Sequence, residues 1–253
     1  MFHFGKICKG VETMIPKVIH YCWFGGNPLP DSVRKCINSW KKFCPDYDIK
    51  QWDETNINLH ENAYVLEAYQ AKKWAFITDY VRLKVLVEYG GIYMDTDVEV
   101  LKPIDVFLSN HAFSGFEDVD CVPTGIMACE KGYTLFKELL DDYKNRHFIL
   151  PDKSYDMTTN VVTITKQCVK HGLVLNNTLQ NIEGFCLYPK DFFCPKSHVT
   201  GEIKCTSNTY TIHHFAGSWH TPYQRFKAKI KKILGCRLTK KIIAIKNKLY
   251  GGN

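Results

Sequence analysis

Apolar positions along the chain change their period several times, and each change marks a boundary between elements. The run VIHYCWF within residues 17–24 reads as a buried strand, closed by GGNPLP. From Pro30 and Asp31 to about Phe43, Val33, Ile37 and Trp40 recur at helical spacing. YDIKQWD alternates as a second strand. Helical spacing returns over 62–72 and again over 75–89, where Ile77, Val81, Val85 and Tyr89 share one face until Gly90 and Gly91 stop the helix. IYM is a short strand leading into DTD, and VEVL is another, ended by Pro103. HAFSGF and VPTGIMAC read as strands, 133–143 and 158–170 as helices, TYTIHHF as a late strand and 222–249 as mostly helix. Strands alternating with helices predict a layered α/β sheet, with ligands bound outside the carboxyl ends of its strands.

Composition narrows the class. The 253 residues are 45% hydrophobic, which describes a globular chain large enough for a full core. No apolar run approaches the eighteen or so residues of a membrane span, and the first residues lack the apolar core of an export signal, so the expected compartment is the cytoplasm. The eleven cysteines are irregularly spaced and contain no CxxC, which argues for reduced thiols over a zinc site or disulfide framework. The net charge of +7 is unevenly placed. From Ile203 onward stand eleven Lys and Arg and no Asp or Glu, leaving 22 basic and 26 acidic residues before it. The chain is a mildly acidic body with a strongly basic end.

The candidate chemistry lies in Asp95 and Asp97. Residues i and i+2 of an extended segment point the same way, so the pair would present two hard oxygen ligands past a buried strand, suited to Mg²⁺ or Mn²⁺. About one such pair is expected by chance among fifteen aspartates, and the chain has three. Asp46/Asp48 and Asp118/Asp120 fall in turn-like stretches, and only the middle pair follows an apolar strand and a glycine break. Asp79 and Arg82, three apart, share a face of the preceding helix. They suit either an internal ion pair or a carboxylate and guanidinium turned toward sugar hydroxyls.

Together VIHYCWFGG, WAFITDYVR, YGGIYMDTDV and the late IHHFAGSW resemble the family 32 glycosyltransferases, which include bacterial capsular-polysaccharide enzymes and Och1-type mannosyltransferases. The DXD-containing sugar-binding region covers about 17–105. The resemblance implies a GT-A fold over 1–222, a nucleotide-sugar donor, a divalent metal (usually Mn²⁺) and retention of anomeric configuration. It implies that Asp97 ligates the metal, with Asp95 touching the ribose and the metal shell, and that His214 is the late ligand. Asp79 and Arg82 would hold the donor sugar. Trp23 would stack on the base, and Ser218 and Trp219 would contact the donor phosphates. Trp23 also suits a plain core aromatic. His213 and His214 are strand neighbours that point to opposite faces, so at most one of them is a ligand. Glu117 and Asn160 are weaker candidates for the acceptor side. UDP-sugar is the expected donor, with GDP-mannose as the alternative; the acceptor would be a saccharide or lipid-linked saccharide, in capsule or surface polysaccharide synthesis.

Over 225–248, Phe226, Ile230, Ile233, Leu234, Leu238, Ile242 and Ile245 recur at three- and four-residue steps among ten Lys and Arg. Segment 223–253 therefore reads as a basic amphipathic helix, suited either to an anionic membrane surface or to packing on the domain with a solvated face. Two other functions compete. A nucleic-acid-binding protein would need basic and aromatic residues interleaved in the body, which is acidic. A nucleotidyltransferase or phosphotransferase would want a glycine-rich phosphate loop, which is absent.

Overall fold

The computed structural model describes residues 14–123 and 125–217. Its centre is a seven-stranded mixed sheet in the order β2-β1-β3-β6-β5-β8-β7. The strands are β1 (Val18–Cys22), β2 (Asp48–Trp52), β3 (Gly91–Met94), β5 (Ala112–Gly115), β6 (Ile126–Cys129), β7 (Gln180–Ile182) and β8 (Phe185–Tyr188). β1 pairs in parallel with β2 and β3, and β5 with β8. β6 runs antiparallel to both β3 and β5, and β7 to β8. A second, two-stranded sheet joins β4 (Val98–Val100) to β9 (Thr211–His213), antiparallel.

Successive side chains of a strand enter opposite faces, and the sheet is buried on both. Tyr93, Met127 and Cys129 enter one apolar layer, while Ile92, Met94, Ile126 and Ala128 enter the other. The first layer takes in α2 (Ala63–Gln70), α3 (Trp74–Tyr89), α4 (Thr134–Asp141) and α5 (Asn160–Lys170). The second takes in α1 (Asp31–Phe43) and the short α6 (Lys190–Phe193).

α1 forms because Val33, Cys36, Ile37 and Trp40 make one buried stripe, with Asp31 in the first turn and Lys41 and Lys42 in the last. It also braces β4: Trp40 Nε1 donates to the Val98 carbonyl at 2.7 Å, and Ser39 Oγ accepts from the Val100 N–H at 2.9 Å. α3 is enclosed along most of its length and stops at Gly90. Gly91 has φ +98°, and a Cβ there would meet the Val18 carbonyl oxygen at 2.7 Å. The second glycine is what lets β3 start flush against β1.

The expected elements between residues 17 and 170 are present, with ends shifted by a few residues; α5 starts at Asn160, two residues later than its spacing predicts. β7, β8 and α6 had no counterpart in the sequence reading. They are three or four residues long, too short for either period to show. The basic segment 223–253 lies outside the described residues, as does the boundary at 222. Among the described residues, no helix is long and apolar enough to cross a membrane.

Candidate active site

β3 ends at Met94, and the chain turns through Asp95, Thr96 and Asp97 into β4. The two aspartates do not lie on an extended segment as their spacing suggests. The Val98 N–H donates to the Asp95 carbonyl at 3.0 Å, closing a turn, and the Asp95 N–H is anchored on the Gly125 carbonyl at 2.8 Å. The turn, not a strand pleat, aims both carboxylates the same way.

The third group comes from the far end of the chain. β9 pairs Val98 with His213, which carries the imidazole to the aspartates. His213 Nε2 lies 3.2 Å from Asp97 Oδ1 and 3.8 Å from Asp95 Oδ2. One ligand atom from each of Asp95, Asp97 and His213 falls within 4.8 Å of the others. The ring is wedged in place. Phe215 lies 4.1 Å away, centroid to centroid, and a Cβ on Gly125 would stand 3.1 Å from the imidazole.

The late ligand expected from the resemblance, His214, lies elsewhere. His214 Nε2 pairs with Glu99 Oε2 at 2.8 Å, and the His214 main-chain N–H donates to the Asp97 carbonyl at 3.0 Å. Consecutive residues at the end of a strand face opposite ways, and in this register His213 takes the inner position. The strand reading allowed one of the two, but only the β4–β9 register shows which.

Arg82 ties the turn to α3. Its Nη2 donates to Asp95 Oδ1 at 3.1 Å and lies 3.5 Å from Asp79 Oδ1, and its guanidinium stands over the Tyr93 ring. The Tyr93 hydroxyl donates to the same Asp95 oxygen at 3.2 Å. Oδ1 is thus held from within, while Oδ2 is left toward His213. Asp97 is held likewise, with Oδ2 accepting from the Ala216 N–H at 2.6 Å.

Electrostatics follow burial and pairing. Burial alone would raise the Asp97 carboxyl, but the hydrogen bond from His213 holds it below its usual value. Burial would lower His213, yet Asp97 raises it far above an ordinary histidine. Burial likewise opposes the Arg82 charge, and Asp95, Tyr93 and Asp79 outweigh it. Asp79 goes the other way: its burial outweighs Arg82 and pushes the carboxyl up to about 6. Glu117 also enters the site, with Oε2 3.8 Å from His213 Nδ1, and burial raises its carboxyl.

Two carboxylates and an imidazole, each with one atom directed at a common point, are a donor set for a divalent cation of intermediate hardness. His213 Nε2 would trade its proton for the cation. Its other nitrogen, Nδ1, is buried and has no close hydrogen-bond partner among the described residues. The residues fit a metal.

The other expected residues are placed as follows. Asp79 and Arg82 meet as an ion pair, only 8% and 9% exposed. Trp23 stands one residue past β1, at the carboxyl end of the strand beside β3, half-buried against the second apolar layer. Its main-chain N–H donates to the Trp52 carbonyl and its Nε1 to the Asn27 carbonyl, at 2.9 and 2.6 Å. Asn160 does not line a surface; it lies buried behind Asp79. Ser218 and Trp219 are outside the described residues. Tyr93 escaped the sequence reading because a tyrosine inside an apolar strand signals core and nothing more.

The turn after β3 carries the two aspartates of a DXD motif. Residues 30–114 match the family described as glycosyltransferase sugar-binding region containing DXD motif. It is 27% identical over 209 residues to inositol phosphoceramide mannosyltransferase 1 of Schizosaccharomyces pombe, an alignment covering 76% of this chain and 63% of that protein. A glycosyltransferase of Acanthamoeba polyphaga mimivirus is 33% identical over 101 residues, 38% of this chain and 40% of that one. The chain thus spans less than two thirds of the length of these relatives. Among solved structures, a galactosyltransferase LgtC bound to donor and acceptor sugar analogues aligns over 88% of this chain and 95% of its own, at 14% identity and a TM-score of 0.43.

Proposed function

We propose that the protein transfers a hexose or N-acetylhexosamine from a nucleotide-sugar to a saccharide acceptor with a divalent metal and with retention of configuration. The observation that carries this is the convergence of Asp95, Asp97 and His213 at the carboxyl end of β3, directly beside the Asp79–Arg82 pair. When bound there, the cation would neutralise charge developing on the departing diphosphate, with no proton donor needed. The chain's own residues do the placing. Arg82 and Tyr93 fix one Asp95 oxygen, and Ala216 fixes one of Asp97, so the free oxygens need no reorganisation when the donor arrives. Asp79 and Arg82 would hold the hydroxyls of the donor sugar, and Trp23 would offer its indole face to the base. Ser218 and Trp219 would contact the phosphates. The acceptor hydroxyl then attacks on the face the diphosphate leaves.

Trp23 favours a UDP-sugar. Against it, a relative named as a mannosyltransferase favours mannosyl transfer, with GDP-mannose as the donor. A thermal-shift panel of nucleotide-sugars with Mn²⁺ separates the two. The role in capsule or surface polysaccharide synthesis, with a lipid-linked acceptor, belongs to the same reading.

Asp95→Ala and Asp97→Ala should each lower transfer by about 100-fold or more, the scale of losing one preorganised charge-stabilising group, while the fold persists. Chelation should silence the wild type and Mn²⁺ restore it. Near wild-type turnover by either variant in saturating Mn²⁺ would overturn the metal assignment.

A further inference from the structure

α5 begins beside Asp79 of α3. Its preceding residue, Thr159, makes no side-chain cap, so the free N–H groups of the first turn need another acceptor. One is found on a different helix. The Asn160 N–H donates to Asp79 Oδ2 at 3.0 Å, and Asn160 Nδ2 donates to the Asp79 carbonyl at 2.6 Å. Tyr143, just past α4, completes the chain by donating its hydroxyl to Asn160 Oδ1 at 3.0 Å. Asn160 and Tyr143 are 2% and 1% exposed.

The segment that delivers Asn160 is pinned as well. Arg146 donates through Nε to Asp156 Oδ2 at 2.7 Å and through Nη2 to the Thr158 carbonyl at 3.2 Å. Asp79 therefore has Oδ2 spent on α5, while Oδ1 faces Arg82 at 3.5 Å. The contact with α5 selects the direction of the oxygen that remains.

The Tyr143 hydroxyl, the Asn160 side-chain amide and the Asp79 carbonyl form a buried chain, and the Asn160 N–H adds the Asp79 carboxylate to it. This is a costly way to join α3 to α5, since apolar residues of equal volume would pack there without the desolvation penalty. What such a chain does supply is a single arrangement, because each member is satisfied only in one orientation. We propose that Asn160 and Tyr143 are positioning residues for the donor-sugar end of the site, holding Asp79 in the orientation that leaves Oδ1 to Arg82 and to a sugar hydroxyl. The proposal rests on the reading that Asp79 faces the sugar.

The test compares three variants of the full chain. Tyr143→Phe removes one hydroxyl and keeps the ring edge-on to Tyr64 and Tyr80. Tyr64→Phe removes a hydroxyl that is equally buried but has no hydrogen-bond partner among the described residues. Asp79→Asn tests the underlying reading. Calorimetry in Mn²⁺ measures UDP against UDP-glucose and GDP against GDP-mannose, and the quantity read is the ratio of affinities within each pair. In Tyr143→Phe the nucleotide-sugar should weaken by about tenfold, the scale of losing one well-oriented hydrogen bond to the sugar, with the nucleoside diphosphate unchanged within about twofold. Tyr64→Phe should leave the ratio at its wild-type value. A ratio that moves in Asp79→Asn but not in Tyr143→Phe, or equally in the two tyrosine variants, overturns the positioning role. A ratio unmoved in Asp79→Asn, or a wild type that gains nothing from the sugar in either pair, overturns the sugar contact itself and the proposal with it.

Discussion

Two neighbouring histidines end β9, and their chemistry is divided by the pleat of the strand. His213 sits behind Phe215 with Nε2 on the aspartates, and His214 turns away to Glu99. The consequence is unequal metal binding. His213→Ala should weaken Mn²⁺ affinity by at least about tenfold, the lower end of what even an outer-shell partner of a metal site contributes. His214→Ala should change it by less than half as much on a logarithmic scale. Titration of Mn²⁺ into each variant, followed by the paramagnetic resonance of the free ion, gives the comparison directly. A larger loss in His214→Ala would return the late ligand to the position the resemblance implies.

At the level of the element, β1 carries a buried polar residue inside an apolar strand. His20 accepts from Trp52 Nε1 through Nδ1 at 3.0 Å, and its Nε2 lies 2.9 Å from the Gly90 carbonyl. Those partners require the neutral ring protonated on Nε2, because a second proton on Nδ1 would face the indole N–H. Burial lowers the His20 pKa to about 4. The unfolded chain takes up that proton near pH 6.5 and the native chain does not. Stability from this group is therefore complete above about 6.5 and declines as pH falls toward 4, by roughly 3 kcal/mol at most. Urea midpoints measured from pH 7 to 4.5 should fall accordingly, and His20→Gln should flatten the curve. A wild type as stable at pH 5 as at pH 7 would show that His20 stays neutral for no energetic reason. The same strand bears on the site: β1 and β3 pair in parallel, so a loosened β1 would disturb both Trp23 and the Asp95 turn.

Over the whole molecule, the charge is split between an acidic body and the basic segment beyond it. A segment of ten Lys and Arg with an apolar stripe should bind anionic vesicles, at about 1 kcal/mol per basic residue near the surface before screening. Removal of 224–253 should abolish most co-sedimentation with such vesicles and spare hydrolysis of a soluble nucleotide-sugar. Rising salt should weaken binding by the full chain and leave an apolar residue of it. Unchanged sedimentation after truncation would rule out the membrane role, and a truncated chain that fails to fold would place the segment in the core.

Much of the fold was legible because burial imposes a period. Val33, Ile37 and Trp40 mark α1, the enclosed run through Ile77, Val81 and Val85 marks α3, and Gly90–Gly91 marks the start of β3, all from local pattern alone. The choice of aspartate pair was legible too, because only one of three such pairs follows a buried strand, but the turn that aims the two carboxylates was not. The elements from 171 to 208 were not: β7, β8 and α6 span three or four residues, too few for a period to repeat clearly, and β8 is held in the sheet by pairing with β5.

The site divides along the same line. Asp95, Asp97, Asp79 and Arg82 fall within nineteen residues, so strand, turn and helix spacing determine that they belong together. His213 stands 116 residues after Asp97, and nothing local relates the two; only the β4–β9 register, Val98 opposite His213, decides which histidine meets the aspartates. Asn160 reaches Asp79 across 81 residues, and Tyr143 reaches Asn160, for the same reason. A sequence determines contacts whose spacing matches the period of one element. Contacts between elements are chosen by how whole faces pack, and a single residue's neighbours in the chain carry no record of that choice.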